Sequence, residues 1–224
     1  QGLRLAYKNM VEPMTRARFT VGLIGLGAIA DSHLAAINQM PEFHVSGVCD
    51  LSAERVDSYA NRLNCDGFAD YHELLDASPD VAVVALPHHL HCQVALDAFA
   101  AGCHALVEKP LAVSVEQCRR MLEASRAAGR ILAVSETASH LPAARKTGEL
   151  FRDGSLGRFC CGGVINRRFY FTPERPEWFL DAASSGGGMF SNIGLHRLAM
   201  IRTCLPGLKP TTVSAAIAYE AGRD

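Results

Sequence analysis

The sequence predicts an α/β fold, in which a doubly wound parallel sheet with helices on both faces is followed by a partial α+β domain. Three observations support this fold class. Short β-branched apolar runs alternate with amphipathic helical segments from Phe19 to about Val134, which is typical of a parallel sheet covered by helices. Gly102 and Gly129 stand where helices should end. From about Glu136 the alternation stops, so we expect a second domain to begin there.

The apolar runs and helical patterns give the individual elements in chain order. Six strands are predicted at Phe19–Ile24, Val45–Cys49, Gly67–Phe68, Val81–Ala85, His104–Val107 and Ile131–Val134. The intervening helices are predicted to begin near Ala28, Ala53, Tyr71, His91 and Val115. Further on, the patterns predict a helix at Pro142–Arg152, strands at Val164–Phe171 and Thr212–Tyr219, and a helix with Asn192 and His196 on one face.

We expect three segments along the chain. Residues 1–18 fit no periodic element and are interpreted as an extension, with Met14 as the natural start. Residues 19–135 form the sheet domain, and residues 136–224 form an incomplete substrate and oligomerisation domain. Because its last strand would leave an unpaired edge, we expect a homo-oligomer through this domain or a longer polypeptide.

Composition and charge narrow the class of protein. The chain has 224 residues, of which 49% are hydrophobic and 20% charged, as in an ordinary globular protein. A net charge of -1 argues against a nucleic-acid surface, which needs clustered Lys and Arg. Eight cysteines without a C-x-x-C pair indicate reduced thiols in a cytoplasmic protein. No apolar stretch approaches about 20 residues, so we expect no membrane partner.

The turn Gly25-x-Gly27-x-x-Ala30 carries the clearest ligand-binding signal. The first glycine permits a tight turn, the second lets a pyrophosphate approach the backbone, and the small third residue lets helix and strand pack closely. The helix that follows, with Ala28 and Ile29 in its first turn, directs its free N–H groups at the phosphates. Glycine-rich turns also arise for packing reasons alone. The position of this one between a strand and a helix favours dinucleotide binding.

Asp50 ends the second predicted strand, about 25 residues after Gly25. An acidic residue there can accept hydrogen bonds from the adenosine ribose, and the alternative is a loop carboxylate or a helix cap. Together with the glycine turn, Asp50 favours ribose binding and NAD as the cofactor. Arg55 lies about one helical turn further on and could pair with a 2′-phosphate, so NADP is the alternative cofactor.

Two polar loops follow later strands, where a doubly wound sheet binds its ligands. The first is Pro87-His88-His89-Leu90-His91. Its three histidines suggest a metal, but no Asp, Glu or Cys at ligand spacing completes a site, so we interpret Pro87, His88 and His91 as cofactor-contacting and expect no metal.

The second loop is Glu108-Lys109-Pro110. A Glu-Lys pair at a strand end is by default a solvated surface pair, which contributes almost nothing to stability. Pro110 fixes the turn and biases Lys109 to an extended conformation that can aim its ammonium group over the sheet edge. The sequence therefore leaves both a surface pair and a functional lysine open.

The glycine turn, the histidine loop and the Glu-Lys-Pro loop are followed by Gly186-Gly187-Gly188 and by Gly194-Leu195-His196. This ordered set resembles the glucose-fructose oxidoreductase, inositol dehydrogenase and rhizopine-catabolism (Gfo/Idh/MocA) family, from about Phe19 to the end of the chain. The resemblance implies an N-terminal Rossmann domain and a nicotinamide-dependent oxidoreductase. It also implies that Lys109 and His196 flank the substrate hydroxyl, while Glu108 and Pro110 shape the cofactor side.

The implied chemistry explains these residue types. Removing hydride from a secondary alcohol leaves a proton on the oxygen, and a proton acceptor must lie within hydrogen-bond reach. A lysine in a buried site beside NAD⁺, or a histidine, can accept it. We therefore expect oxidation of a small-molecule polyol, sugar or related cyclic alcohol. An NAD-dependent glycoside hydrolase or lyase of the same family, or a non-catalytic nucleotide-binding regulator, is the alternative.

Two residues depart from the family pattern. Asn192 and Ala199 stand where that family usually has acidic residues. Asn192 can hydrogen-bond a sugar hydroxyl, but it cannot act as a carboxylate toward Lys109 or His196. Further candidates for substrate contact, for which core packing is the alternative, are Arg167, Arg168, Tyr170, Trp178 and Phe179.

Overall fold

The structure, a computed structural model, describes residues 18–167, 175–188 and 190–216. The chain divides into two compact units. As far as they are described, one comprises Gln1–Ser135 with Phe169–Leu195, and the other comprises Glu136–Arg168 with His196–Asp224. In the described part, no helix has the length and apolar character needed to cross a membrane.

The first unit is built on six strands: β1 Phe19–Ile24, β2 Phe43–Cys49, β3 Asp66–Phe68, β4 Val81–Val84, β5 His104–Glu108 and β6 Leu132–Ser135. Their order in the sheet is β3-β2-β1-β4-β5-β6, and every pairing is parallel. This confirms the predicted doubly wound sheet. The strand order reverses between β1 and β4, which is where such sheets bind ligands beyond their carboxyl ends.

All the strand bounds agree with the predicted ones within two residues. In β2 the strand begins at Phe43, because this ring stacks on Phe19 with centroids 5.4 Å apart and the two residues face each other in the ladder. Ile24 at the end of β1 is paired with Cys49 on one side and Val84 on the other. The loops that follow these three strands therefore start level with one another.

The helices of the sheet domain are α1 Ala30–Ile37, α2 Ala53–Leu63, α3 Tyr71–Asp76, α4 His91–Ala100 and α5 Val115–Ala127. Four of them begin at the predicted residue. Side-chain caps set the start of α2, α3 and α5, where Ser52, Asp70 and Ser114 each accept a backbone N–H from the first turn. The first helix begins at Ala30, later than the predicted Ala28, because residues 28 and 29 form a turn.

The core lies on both faces of the sheet. Leu23 and Ile24 are adjacent in β1 and almost fully buried, yet they pack into two different apolar clusters. Successive strand side chains point to opposite faces, so a strand covered on both sides reads as a continuous apolar run. Val84 and Val107 extend one cluster and Val48 the other. This packing fixes the strand ends from which the loops emerge.

The later part of the first unit contains the 3-10 turn Glu177–Phe179, the short helix α7 Ala182–Ser185 and a π-helical segment, Phe190–Gly194. The π-helical segment corrects the prediction that Asn192 and His196 share one face of a single α-helix. Asn192 lies in that segment, whose hydrogen bonds close wider turns than those of an α-helix. His196 lies in α8, Leu195–Cys204.

In the second unit, α6 spans Pro142–Arg152 as predicted, after the 3-10 turn Ala138–His140. The predicted strands Val164–Phe171 and Thr212–Tyr219 are wrong where they can be compared, because residues 164–167 and 212–216 form no strand. The rest of both segments lies outside the described residues. A strand needs a partner for its backbone groups, and the described part of this unit contains no strand to pair with.

Candidate active site

The two glycines of the turn after β1 have different surroundings. Gly25 has a φ of +98°, and a Cβ on it would lie 2.3 Å from the carbonyl oxygen of Ala85. The fold therefore requires glycine at this position. A Cβ on Gly27 would meet nothing within 4 Å. The open space at Gly27 is free for a ligand.

Hydrogen-bond donors surround that space. The backbone N–H groups of Gly27, Ala28 and Ile29 donate to no residue within the described ranges. They precede α1, whose first N–H groups have no intrahelical acceptor and which presents the positive end of its dipole here. Ala28 and Ile29 are exposed. This arrangement can bind an anionic group such as a pyrophosphate.

Asp50 joins the glycine turn to the start of α2. Its Oδ2 accepts the N–H of Leu26 at 2.8 Å, and its Oδ1 accepts the N–H of Ser52 at 2.9 Å and Nη2 of Arg55 at 2.8 Å. The Asp50 side chain is 9% exposed and that of Arg55 is 51% exposed. The carboxylate thus supports both loops, and a carboxylate has about four acceptor sites, one more than these bonds use.

The histidine loop is turned into the protein. His88 and His91 are buried, with 4% and 0% of their surface exposed. The ring nitrogens of His91 each lie 2.8 Å from a backbone carbonyl oxygen, Nδ1 from that of Pro110 and Nε2 from that of Leu86. The His91 ring therefore ties the loop after β4 to the loop after β5. It can influence a ligand only through the loops that it joins.

His88 connects the same loop to α7 and to the 3-10 turn Glu177–Phe179 that precedes it. Its Nδ1 lies 2.9 Å from the carbonyl oxygen of Ser185, and its ring packs edge-on against Trp178 and Phe179. Those two partly buried aromatic residues thus pack against His88 within the first unit, as their packing alternative predicted. Burial lowers the pKa of His88 to about 4 and outweighs the hydrogen bond to Ser185, so the ring is neutral at physiological pH.

The neutral His88 predicts a pH dependence of stability. Between about pH 6.5 and about pH 4 the unfolded chain binds a proton at His88 that the folded protein excludes, so stability falls as the pH decreases, by up to about 3 kcal/mol. His88→Phe should reduce this loss, whereas His89→Phe, at an exposed neighbour, should not. Urea unfolding at about pH 7 and about pH 4.5 measures both. An equal loss in wild type and His88→Phe would contradict this assignment.

Glu108 and Lys109 are not the surface pair that their sequence would allow. The Glu108 side chain is 13% exposed, its Oε1 lies 3.0 Å from Nε2 of His33, and its Oε2 accepts the N–H of Lys109 at 3.0 Å. Burial alone would raise the pKa of Glu108, but hydrogen bonds from His33 and Ser135 lower it. The carboxylate is therefore ionised, at the end of β5.

Lys109 reaches across 83 residues of sequence to Asn192. Its Nζ donates to the Asn192 side-chain Oδ1 at 2.6 Å and to the Asn192 backbone oxygen at 3.0 Å. Both residues belong to the first unit. The structure thus brings together two of the three residues that were predicted to meet the substrate.

The third, His196, belongs to the second unit, where its Nδ1 lies 2.5 Å from Oε1 of Glu136. Glu136 was not among the site residues that the sequence predicted. A signal was present, because Glu136 directly follows β6 in the chain, as Asp50 directly follows β2.

A cavity of about 370 Å³ in the second unit is lined by Glu136, Ser139, Ala199, Arg202 and Thr203. The described residues contain no group of three or more His, Cys, Asp or Glu side chains that could hold a metal ion.

The chain matches two family descriptions. Residues 19–136 match the GFO/IDH/MocA family, described as an oxidoreductase family with an NAD-binding Rossmann fold, and residues 144–223 match the GFO/IDH/MocA C-terminal domain. These two matches follow one another along the chain in the order that the sequence motifs predicted.

Similar proteins include sugar oxidoreductases. The 1,5-anhydro-D-fructose reductase of Ensifer adhaerens is 30% identical over 90% of this chain and 60% of its own length. The D-glucoside 3-dehydrogenase of Escherichia coli (strain K12) is 30% identical over 89% of this chain and 58% of its own length. The chain therefore spans less than two thirds of each of these relatives.

Solved structures share the fold. An NAD binding oxidoreductase from Klebsiella pneumoniae superposes with a TM-score of 0.73 at 28% identity, over 84% of this chain and 53% of its own. Levoglucosan dehydrogenase in complex with NADH and levoglucosan gives a TM-score of 0.74 at 24% identity, over 84% of this chain and 54% of its own. The two family matches establish that the chain belongs to the GFO/IDH/MocA oxidoreductase family, whose N-terminal domain is an NAD-binding Rossmann fold.

Proposed function

We propose that the protein is an NAD(P)-dependent dehydrogenase that oxidises a secondary hydroxyl of a sugar, polyol or related cyclic alcohol. One observation carries this proposal: the ammonium group of Lys109 donates a hydrogen bond to Asn192. Lys109 directly follows β5, in the same sheet whose strand β1 leads into the glycine turn. The names of the relatives, which reduce or oxidise sugars and anhydrosugars, support the substrate class.

The residues of the first unit fit a dinucleotide. The open space at Gly27 and the N–H groups of Gly27, Ala28 and Ile29 would hold the pyrophosphate. Asp50 would accept a hydrogen bond from the ribose, Pro87 and Glu108 would line the cofactor site, and the buried His88 and His91 would hold its loops in place. When bound, NAD supplies the acceptor for the substrate hydride.

The proposed role of Lys109 is to take the proton of the reacting hydroxyl. Asn192 places Nζ through two oxygen acceptors, so the amine is oriented before substrate binds. To accept that proton, the amine of Lys109 must be in its neutral form. His196 would accept a hydrogen bond from a substrate hydroxyl and so orient the sugar ring.

Cofactor choice gives a prediction about Asp50 and Arg55. The buried Asp50 carboxylate should repel a 2′-phosphate, so we expect NADH to bind about 10-fold more tightly than NADPH. Arg55→Ala should widen that ratio, because it removes the cation that could pair with the phosphate, and Asp50→Ala should narrow it. Calorimetric titrations of the wild type and the two variants with NADH and NADPH measure the ratio of affinities in each protein. Equal or tighter binding of NADPH by the wild type would refute the preference.

The catalytic proposal is tested by a substrate screen. Anhydrosugars, glucosides, sugar acids and inositols are offered with NAD⁺ or NADP⁺, and reduced nicotinamide is followed by its absorbance. We expect the protein to oxidise at least one of these alcohols. Cofactor binding without any reaction would favour the regulator, and turnover with a cofactor that is never released would favour the hydrolase or lyase.

Self-association through the second unit is a further part of the proposal. Several of its apolar side chains are exposed, among them Ile165 at 84% and Val213 at 82%. Where exposed apolar side chains form a contiguous patch, that patch usually marks a contact with another chain. Light scattering should give a mass of at least twice the 24.1 kDa of one chain. A monodisperse species of 24.1 kDa at micromolar concentration would contradict it.

A further inference from the structure

The carboxylate of Glu136 is held in place by the backbone that follows it. Its Oε1 accepts the N–H of Ala138 at 3.1 Å, and its Oε2 accepts the N–H of Ser139 at 2.9 Å. The hydroxyl of Ser139 donates in turn to the backbone oxygen of Glu136 at 3.2 Å. These bonds anchor the side chain at the start of the 3-10 turn Ala138–His140, in the manner of a helix cap.

The anchored carboxylate faces one nitrogen of a histidine ring. Nδ1 of His196 lies 2.5 Å from Oε1 of Glu136, and the two side chains are 24% and 17% exposed. Burial alone would raise the pKa of Glu136, but the hydrogen bonds from His196, Ser139 and Ala138 lower it, so the group is ionised near neutral pH. An ionised carboxylate only accepts hydrogen bonds. In the neutral ring the proton must therefore be on Nδ1, which leaves Nε2 as an acceptor.

We propose that Glu136 is a positioning residue that fixes the tautomer and the ring orientation of His196, so that Nε2 is presented to the substrate as a hydrogen-bond acceptor. This inference rests on the proposed function, in which His196 orients the substrate. A ring in the other tautomer would present a donor where a substrate hydroxyl must donate. Orientation of a histidine by a buried carboxylate is a general device in active sites.

Glu136→Gln separates this role from simple packing. Glutamine has nearly the same shape, but its amide can donate to Nδ1 as well as accept from it, so both tautomers become available. Glu136→Asp keeps the charge and should restore part of the effect. The control is Glu149→Gln, which removes the same charge from α6 at a side chain that is 54% exposed and pairs with Lys146.

The first readout does not depend on activity. Nitrogen-15 NMR distinguishes the two tautomers of a ring, and His196→Gln identifies its signals among the nine histidines of the chain. We expect the Nδ1-protonated tautomer in the wild type and in Glu149→Gln, and a mixture in Glu136→Gln. An Nε2-protonated ring in the wild type, or the same tautomer in Glu136→Gln, would overturn the inference.

The second readout is kinetic. In Glu136→Gln we expect kcat/KM to fall by about 10-fold or more, because a substrate hydroxyl loses its acceptor, with cofactor affinity unchanged and with partial recovery in Glu136→Asp. An unchanged kcat/KM in an active, folded Glu136→Gln protein would overturn the inference. If the wild type turns over no alcohol while its His196 tautomer is fixed by Glu136, the proposed function fails and the positioning contact stands.

Discussion

Gly27→Val is expected to abolish NAD(H) binding while leaving the free energy of unfolding almost unchanged. A Cβ at this position meets no atom within 4 Å, so the folded protein has room for the valine. The branched side chain would fill the space into which a pyrophosphate must approach the N–H groups before α1. Calorimetric titration with NADH and urea unfolding measure the two quantities.

Two further glycines serve as comparisons for this experiment. Gly163→Val is the matched control, because a Cβ there also meets nothing within 4 Å and the position has no positive φ; it should change neither quantity. Gly25→Ala should instead destabilise the fold by about 3 kcal/mol, since its Cβ would clash with the backbone of Ala85. Normal NADH binding by Gly27→Val would mean that the pyrophosphate site lies elsewhere.

Lys109→Met is expected to lower turnover by about 10²-fold or more, which is the usual contribution of a general acid or base. Methionine fills a similar volume but carries no amine, so it can neither take a proton nor donate to the oxygens of Asn192. Cofactor affinity should stay within several-fold of the wild type. Initial rates at saturating NAD⁺, together with a binding titration, separate the two effects.

The control for that variant is Lys146→Met. Lys146 lies in α6, its side chain is 66% exposed, and it pairs with Glu149 on the same helix. Loss of this exposed charge should leave turnover unchanged, because surface ion pairs contribute little. Undiminished turnover in Lys109→Met would remove Lys109 from the proposed mechanism.

The sheet domain was predictable because its signals are local. A strand covered on both faces is a continuous apolar run, and Ser52, Asp70 and Ser114 mark the starts of helices by a cap that acts within three residues. The glycine turn is local in the same way. The family matches over residues 19–136 and 144–223 confirm the family that the ordered motifs indicated.

The contacts that build the candidate site are not local. No residue near Lys109 in the sequence indicates that its ammonium group contacts Asn192. Likewise, no residue near Glu136 indicates its contact with a histidine 60 residues later. The prediction that Asn192 and His196 share a helix face assumed the α-helical period, which does not apply to the π-helical segment Phe190–Gly194. The predicted strands of the second domain failed in residues 164–167 and 212–216 because apolar alternation does not supply a partner strand.

The measurement that tests the proposed hydride transfer most directly uses a substrate from the screen with deuterium at the carbon that bears the reacting hydroxyl. After reaction with NAD⁺ and the wild-type protein, the released reduced nicotinamide is analysed by mass spectrometry. The proposal predicts that it carries the deuterium, and that Lys109→Met forms it at least about 10²-fold more slowly. Reduced cofactor without deuterium, or consumption of the alcohol with no released reduced cofactor, would contradict the proposal that this protein is a dehydrogenase.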